Sequence, residues 1–345
     1  MAELQVRHLL APVIELALQA GLLIEAELSR PDGPRGSGDK AEIDVEIEKL
    51  LREGLQQILA CDFVGEETGV DLSGHRFAWV VDPNDGTADF LKRRPGSAVS
   101  IGLLRDGTPV LGVVYAPVNA HGPDCIAWAE GLQTLLRNGQ PVSRDLCSAT
   151  LSSDSVVFVS YSAYLKPEQN AVLCRPAIFH PMPSIAYRLA RVAAGDGIAA
   201  VSLYSVSTHD VVAAHALLRA VNGDIWNERG ELLRYASPNA FSCSVRFCFG
   251  GAQAACAELY SRPWNSLLDT GSASEVSGDE PDNMILSELM ALAIDVLGDQ
   301  NIAKAWFHTP ALGLSGFSPI DLLSTAQGSV QVRDLLQRMR YGVYQ

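Results

Sequence analysis

The sequence predicts a mixed α/β chain, layered from helices and sheets, that ends in a small all-α C-terminal domain. Three observations predict it. Some segments repeat apolar positions at helical spacing, while others are short, continuous apolar runs. The two kinds alternate irregularly, as in layered mixed folds. A small, polar, acidic stretch at 269–283, DTGSASEVSGDEPDN, then offers almost nothing to bury, and the pattern beyond it is helical only.

The elements follow in order. Residues 8–29 place Leu9, Val13, Leu16, Ala20, Leu23 and Ala26 at helical spacing. Pro31-Asp32-Gly33-Pro34 stops that helix and opens a Gly-rich loop through Gly38. A second helix is expected over 43–58. Residues 77–81 read as a buried strand that ends at Asp82-Pro83. Residues 99–104 and 110–115 read as strands of a hairpin, with Arg105-Asp106-Gly107-Thr108 as its turn. Residues 156–159 form another strand. Residues 184–194 and 211–220 have helical spacing, with Gly195 and Gly223 as stops. After the acidic stretch, 284–297 and 330–339 are expected to be helical. The expected domains are 1–262, a linker over 263–283, and 284–345.

The length of 345 residues agrees with about two domains. Lys plus Arg number 26 against 40 Asp plus Glu, a formal net charge of −14. Such a chain lacks the general electrostatic footprint for nucleic acid or anionic membranes and suits a soluble protein, or one that binds cations. The seven cysteines are odd in number and include no C-x-x-C, which argues against a disulfide framework and a structural zinc site. Glu15 and Glu25 interrupt the apolar N-terminal run, so neither a signal peptide nor a membrane span is expected, and the expected location is cytoplasmic.

The strongest local signal is Asp82-Pro83-Asn84-Asp85-Gly86-Thr87, where Trp79-Val80-Val81 runs into a turn. Gly65-Glu66-Glu67-Thr68 lies upstream and His209-Asp210 far downstream. Singly, these read as a turn, a solvated acidic face and a helix cap. Together they make a set of carboxylates that repel unless cations neutralise them. Hard oxygen ligands of this kind suit Mg²⁺, and two such ions can clamp a phosphate ester.

The hexapeptide, the aromatic Phe90, the acidic pair before it, SAVSIGLLRDGTPVLGVVYAP after it and His209-Asp210-Val211-Val212-Ala213-Ala214 resemble, in that order, the inositol monophosphatase superfamily. That superfamily includes the 3′(2′),5′-bisphosphate nucleotidases. The resemblance spans roughly residues 8–250. It implies an α+β layered αβαβα phosphatase fold and Mg²⁺-dependent hydrolysis of a small phosphate monoester, with two or three ions. Glu66, Asp82, Asp85 and Asp210 would be metal-binding carboxylates, and the backbone carbonyl of Asn84 a further ligand. Thr87, held by Asp44, would orient the attacking water, with Glu66 beside it as a catalytic group. Backbone N–H groups of Gly86 and Thr87 would hold the phosphate. Ser184 and Asp210 would contact substrate.

The chain departs from that family at four places. His209 replaces a Trp, Pro183 a Gly, Lys40-Ala41 a Val-Thr pair, and Asn84 stands where an aliphatic residue is common. These bear on substrate identity more than on catalysis. Lys92-Arg93-Arg94 fits either a second substrate phosphate or a solvated basic turn.

The C-terminal run 303–345 resembles the toxin-binding domain of Xre/MbcA/ParS-type antitoxins, through Ala305-Trp306, Pro310-Ala311-Leu312, Gly316-Phe317-Ser318-Pro319, Leu322-Leu323 and Tyr341-Gly342-Val343-Tyr344. The resemblance implies a RES-type toxin as partner through 284–345. The plainer reading is a helical appendage that forms a homodimer. Trp306, Phe317 and Tyr344 are aromatic anchors in the first reading and core in the second. A retired phosphatase fold that only binds such a toxin is the alternative function.

Overall fold

A computed structural model describes residues 5–119, 121–235 and 245–267, and beyond these 289–290, 292–307 and scattered positions from 309 to 339. The chain divides into two compact units, 1–161 with 168–266, and 162–167 with 267–345.

The first unit opens with α1 (Leu10–Leu28), a hairpin of β1 (Gly36–Ser37) and β2 (Lys40–Ala41), and α2 (Glu42–Ile58). Then come β3 (Asp62–Gly65), β4 (Val70–Asp71), β5 (Phe77–Asp85), the short α3 (Thr87–Phe90), β6 (Ala98–Arg105), β7 (Thr108–Ala116), β8 (Asp124–Ala129), β9 (Leu135–Arg137) and β10 (Gln140–Val142). They make an eight-stranded sheet in the order β10-β9-β8-β7-β6-β5-β3-β4, antiparallel except where β3 meets β5. The remainder is β11 (Val156–Ser160), α4 (Pro167–Cys174), β12 (Ile178–Met182), α5 (Ile185–Ala194), β13 (Ala199–Ser202), α6 (Thr208–Ala220), β14 (Asp224–Asn227), β15 (Cys248–Gly251) and α7 (Gln253–Tyr260). Its five-stranded sheet runs β12-β11-β13-β15-β14.

Alternation along β5 shows how the layers stack. Trp79 and Val81 are buried with α1 and α2, whereas Ala78 and Val80 are buried with Val212 of α6. Both faces of β5 are covered, so its run of apolar residues is continuous. α5 and α6 lie against each other, α6 on β5 to β7 and α5 on β11, β13 and β15, with α7 against β15. The layers are therefore helix, sheet, helix, sheet, helix. α6 comes close to the first sheet because Gly102 of β6 faces Gly112 of β7 across the ladder. A β-carbon at Gly102 would lie 2.9 Å from the Ala213 nitrogen, and one at Gly112 would overlap the Ala213 carbonyl.

Three details correct the sequence reading. β5 does not end at Asp82-Pro83; it continues to Asp85 with a register shift between Asp82 and Asp85. Pro83 has no N–H for a ladder, which suits that irregularity. At the end of α6 the left-handed residue is Asn222 (φ 61°), not Gly223. The helical segment Val6–Leu28 is long and apolar enough, by length and composition, to cross a membrane. In this fold its stripe of Val13, Ala17, Ala20 and Ile24 is buried in the core that α2 and the first sheet complete. The Asp106-Gly107 turn is as expected, with both residues left-handed (φ 50° and 75°).

An ion network fixes α5 to the first sheet. Arg137 donates to both oxygens of Asp124 (2.9 and 2.7 Å) and to Asp196 beyond α5 (2.8 and 3.0 Å). Tyr187 Oη donates to Asp124 at 2.7 Å, and Arg191 to Asp196 at 2.7 Å.

Trp264–Leu267, within the expected linker, is a 3-10 turn with Trp264 buried; 268–283 lie outside the described residues. In the second unit Leu289, Ala293, Ala303, Phe307, Leu314, Val332 and Leu336 form a small core. A helix not foreseen from the sequence, Gln300–Phe307, contributes to it. Trp306 packs against this core, edge-on to Phe307 at 5.3 Å. Phe317 and the tail 341–345 lie outside the described residues.

Candidate active site

The site grows from the end of β5. Asp82, Asn84 and Asp85 all lie on this strand and are buried. Gly86, at φ 96°, turns the chain into α3. The left-handed conformation suits glycine, and it brings the N–H groups of Gly86 and Thr87 to the start of a helical turn without an intrahelical acceptor.

Carboxylate oxygens of Asp82, Asp85 and Asp210 lie within 4.8 Å of one another. Among the described residues no Lys or Arg pairs with them; His209 Nε2 stands 3.4 Å from Asp210 Oδ1. Each carboxylate is aimed by the local fold. Asp82 Oδ1 accepts the Asn84 N–H at 2.9 Å. Asp85 Oδ2 accepts from Ser184 Oγ and the Ala186 N–H, both at 2.6 Å, at the start of α5. Asp210 Oδ2 accepts the Ser207 N–H at 2.5 Å, so this residue caps α6 and faces the cluster at once.

Thr87 and Asp44 meet as expected. Thr87 Oγ1 lies 3.2 Å from Asp44 Oδ2 and 3.0 Å from the Asn84 carbonyl, and Asn84 Nδ2 donates to Asp44 Oδ1 at 3.0 Å. Glu66 stands outside the tight cluster, next to Asp82. Ser184, expected at the substrate, is buried and donates its hydroxyl to Asp85. It holds that role from a positive φ of 37°.

Charge crowding follows from this geometry. Burial, then the charges of Glu66, Asp85 and Asp210, raise the Asp82 carboxyl well above its ordinary value. Burial and Asp85 push Asp210 up to about 7. Glu66 is also pushed up to about 7, first by the protein around it and then by Asp210. Asp44 rises to about 6 through burial, against the pull of its Asn84 and Thr87 hydrogen bonds. A buried all-oxygen donor set with such proton affinity fits a hard divalent cation.

The signs give a test. These acids bind protons more tightly folded than unfolded, so without metal they cost stability as pH rises through about 7. A bound cation removes that cost. The gap between melting temperatures in Mg²⁺ and in EDTA should widen from about pH 5 to about pH 8; a constant gap would count against a cation site here.

Sequence reasoning missed Glu48 of α2. This fully buried carboxylate accepts from the Glu67 N–H (2.9 Å), the Thr68 N–H (2.6 Å) and Thr68 Oγ1 (2.5 Å). It thereby fastens the loop that carries Glu66. Its helical spacing from Asp44 (i, i+4) was the available signal. In Glu48→Gln an amide N–H₂ would face backbone donors. Mg²⁺ affinity measured by calorimetry should weaken by about 10- to 100-fold, and unchanged affinity would show that the loop holds itself.

The sequence model of the inositol monophosphatase family matches residues 5–259. The chain belongs to the inositol monophosphatase family. Members of this family are phosphatases. A probable inositol 1-monophosphatase, ImpA, of Mycobacterium tuberculosis is 29% identical over 252 residues, covering 68% of this chain and 90% of that protein. The 3′(2′),5′-bisphosphate nucleotidase CysQ of Salmonella typhimurium is 28% identical over 170 residues, covering 47% and 64%. Among solved structures, an inositol monophosphatase from Anabaena superposes with a TM-score of 0.57 at 24% identity, covering 74% of this chain and 94% of that one. The suhB protein of Bartonella henselae gives 0.59 at 21% identity, covering 75% and 98%. Both show the same layered fold. Residues 292–342 match the C-terminal toxin-binding domain of Xre/MbcA/ParS antitoxins.

Within this family fold two residues of the basic turn are engaged, while Lys92 is exposed. Arg93 Nη2 donates to the carbonyls of Arg30 and Pro31 (2.8 and 2.9 Å). Arg94 pairs with Asp89 at 2.7 Å and lies over Tyr161.

Proposed function

We propose that this inositol monophosphatase family member is a cytoplasmic, Mg²⁺-dependent hydrolase of a small phosphate monoester. The observation that carries the reading is the Asp82, Asp85 and Asp210 cluster, unpaired with Lys or Arg among the described residues, beside the Thr87–Asp44 pair. Glu66, Asp82, Asp85, Asp210 and the Asn84 carbonyl would hold the ions. Mg²⁺ bound there supplies neutralisation of the phosphate and of the leaving oxygen. The N–H groups of Gly86 and Thr87 bind a phosphate oxygen. Asp44 takes the Thr87 hydroxyl proton in a hydrogen bond, which leaves the Thr87 oxygen free to accept from, and orient, a water molecule.

The engagement of Arg93 and Arg94 favours an inositol-type monophosphate over a nucleoside bisphosphate, whose second phosphate needs free cations. Phosphate release from inositol-1-phosphate and from adenosine 3′,5′-bisphosphate, each with and without Mg²⁺, tests this. Release from the first, only with Mg²⁺, is expected. No release from either, or from sugar phosphates, would refute the enzyme reading and leave a retired phosphatase fold.

The match over 292–342 supports a second role for the same chain, a protein-interaction module that takes a RES-type toxin. Deleting 341–345 should then abolish co-purification with such a toxin and leave phosphatase activity intact. A homodimer lost on that deletion would favour self-association instead.

A further inference from the structure

We propose that Asn84 is a positioning residue, whose side-chain amide fixes Asp44 so that the Thr87 hydroxyl keeps one orientation beside the carboxylate cluster. The inference rests on the phosphatase reading above and adds a residue to it.

Asn84 is fully buried between Asp82 and Asp85, and it touches three other groups of the site. Its N–H holds Asp82, its carbonyl accepts from Thr87, and its Nδ2 donates to Asp44 Oδ1. Its own Oδ1 has no hydrogen-bond partner. A buried acceptor left unpaired destabilises the fold, and an aliphatic side chain of similar size avoids that cost. The amide is present in spite of it, and Asp44 is the group that receives its hydrogen bond.

The benefit is orientational. Rotation about the bond to a carboxylate is soft and two-fold. Thr87 reaches only one of the two Asp44 oxygens, Oδ2. With Nδ2 on Oδ1 and Thr87 on Oδ2, the two oxygens cannot exchange places without breaking both bonds. The Thr87 proton then has two acceptors within reach, Asp44 Oδ2 and the Asn84 carbonyl, and Asn84 fixes both. The direction of the Thr87 lone pairs follows from that frame.

Asn84→Leu and the smaller Asn84→Ala, each with and without Asp44→Asn, test this in the full chain, alongside Mg²⁺ titration calorimetry and thermal melts. Because Asn84 acts through Asp44, kcat for phosphate release should fall by about ten-fold in either single variant. KM and the Mg²⁺ dissociation constant should stay within about two-fold, because no substrate or ligand atom is removed. Added to Asp44→Asn, either change should cost nothing further, the signature of two residues acting as a unit. Wild-type kcat in both single variants, an undiminished loss in the Asp44→Asn background, or a loss confined to KM or Mg²⁺ affinity would each overturn the inference. If Asn84→Leu does not fold, Asn84→Ala decides, since it only removes atoms. An inactive wild-type chain would overturn the phosphatase reading and this inference together, whereas an active wild type with unaffected variants overturns the inference alone.

Discussion

Asp85→Asn should reduce Mg²⁺-dependent phosphate release by about a thousand-fold or more. One carboxylate oxygen, Oδ2, is already taken by Ser184 Oγ and the Ala186 N–H. An asparagine oxygen can keep those two bonds, which then turns its NH₂ group towards the place where a cation must sit. The cluster loses a charge and a ligand in one step. Folding should not suffer. Asp85 raises the proton affinity of both Asp82 and Asp210, so removing its charge relieves repulsion in the metal-free protein. The melting temperature in EDTA should therefore stay level or rise while activity vanishes. Retained activity, or a variant that loses activity only by unfolding, would remove Asp85 from the centre of the site.

The second large effect is structural. Gly112→Val should destabilise the protein by about 3 kcal/mol or more. A β-carbon there overlaps the Ala213 carbonyl and lies 3.1 Å from the Ala216 side chain, so backbone must move, not a flexible tip. In a domain of this size that corresponds to a fall in melting temperature of about 6–12 °C. Since α6 carries Asp210, the stabilisation by Mg²⁺ should shrink with it. Gly112→Ala should show the same sign, because the β-carbon itself is the obstacle. A melting temperature within about a degree of wild type would mean that α6 is free to shift.

Much of this was legible in the residues, for identifiable reasons. α1, α2, the 98–116 hairpin and α5 carry strong periodicity or a two-residue turn with one permitted geometry. Asp82, Asp85 and Thr87 were readable because the hexapeptide is local and its chemistry is specific, whereas Asp44 came only from the family resemblance. The end of β5 was misjudged because Asp82-Pro83 looks like a strand stop. The sheet instead tolerates proline at its register shift. Ser184 was assigned to substrate, but its partner Asp85 lies 99 residues away, and no local pattern encodes that contact. Glu48 carried a local signal, its i, i+4 spacing from Asp44, but not the identity of its partners. Its role exists only once α2 meets the 65–68 loop, 20 residues further on.

The helix layer between the two sheets has a consequence for how the protein is made. Asp85 receives its hydrogen bond from Ala186, 101 residues later in the chain, and Asp210 emerges later still. At about 5–20 residues per second, a ribosome exposes the carboxylates of β5 several seconds before α5 and α6 exist to restrain them. During that interval the face of β5 that meets α6 lacks its cover, whereas α1 and α2, made earlier, belong to the other face. The order of synthesis thus places completion of the ion-binding centre after the second sheet has begun to form, and a chain truncated before α6 would hold the motif without the site.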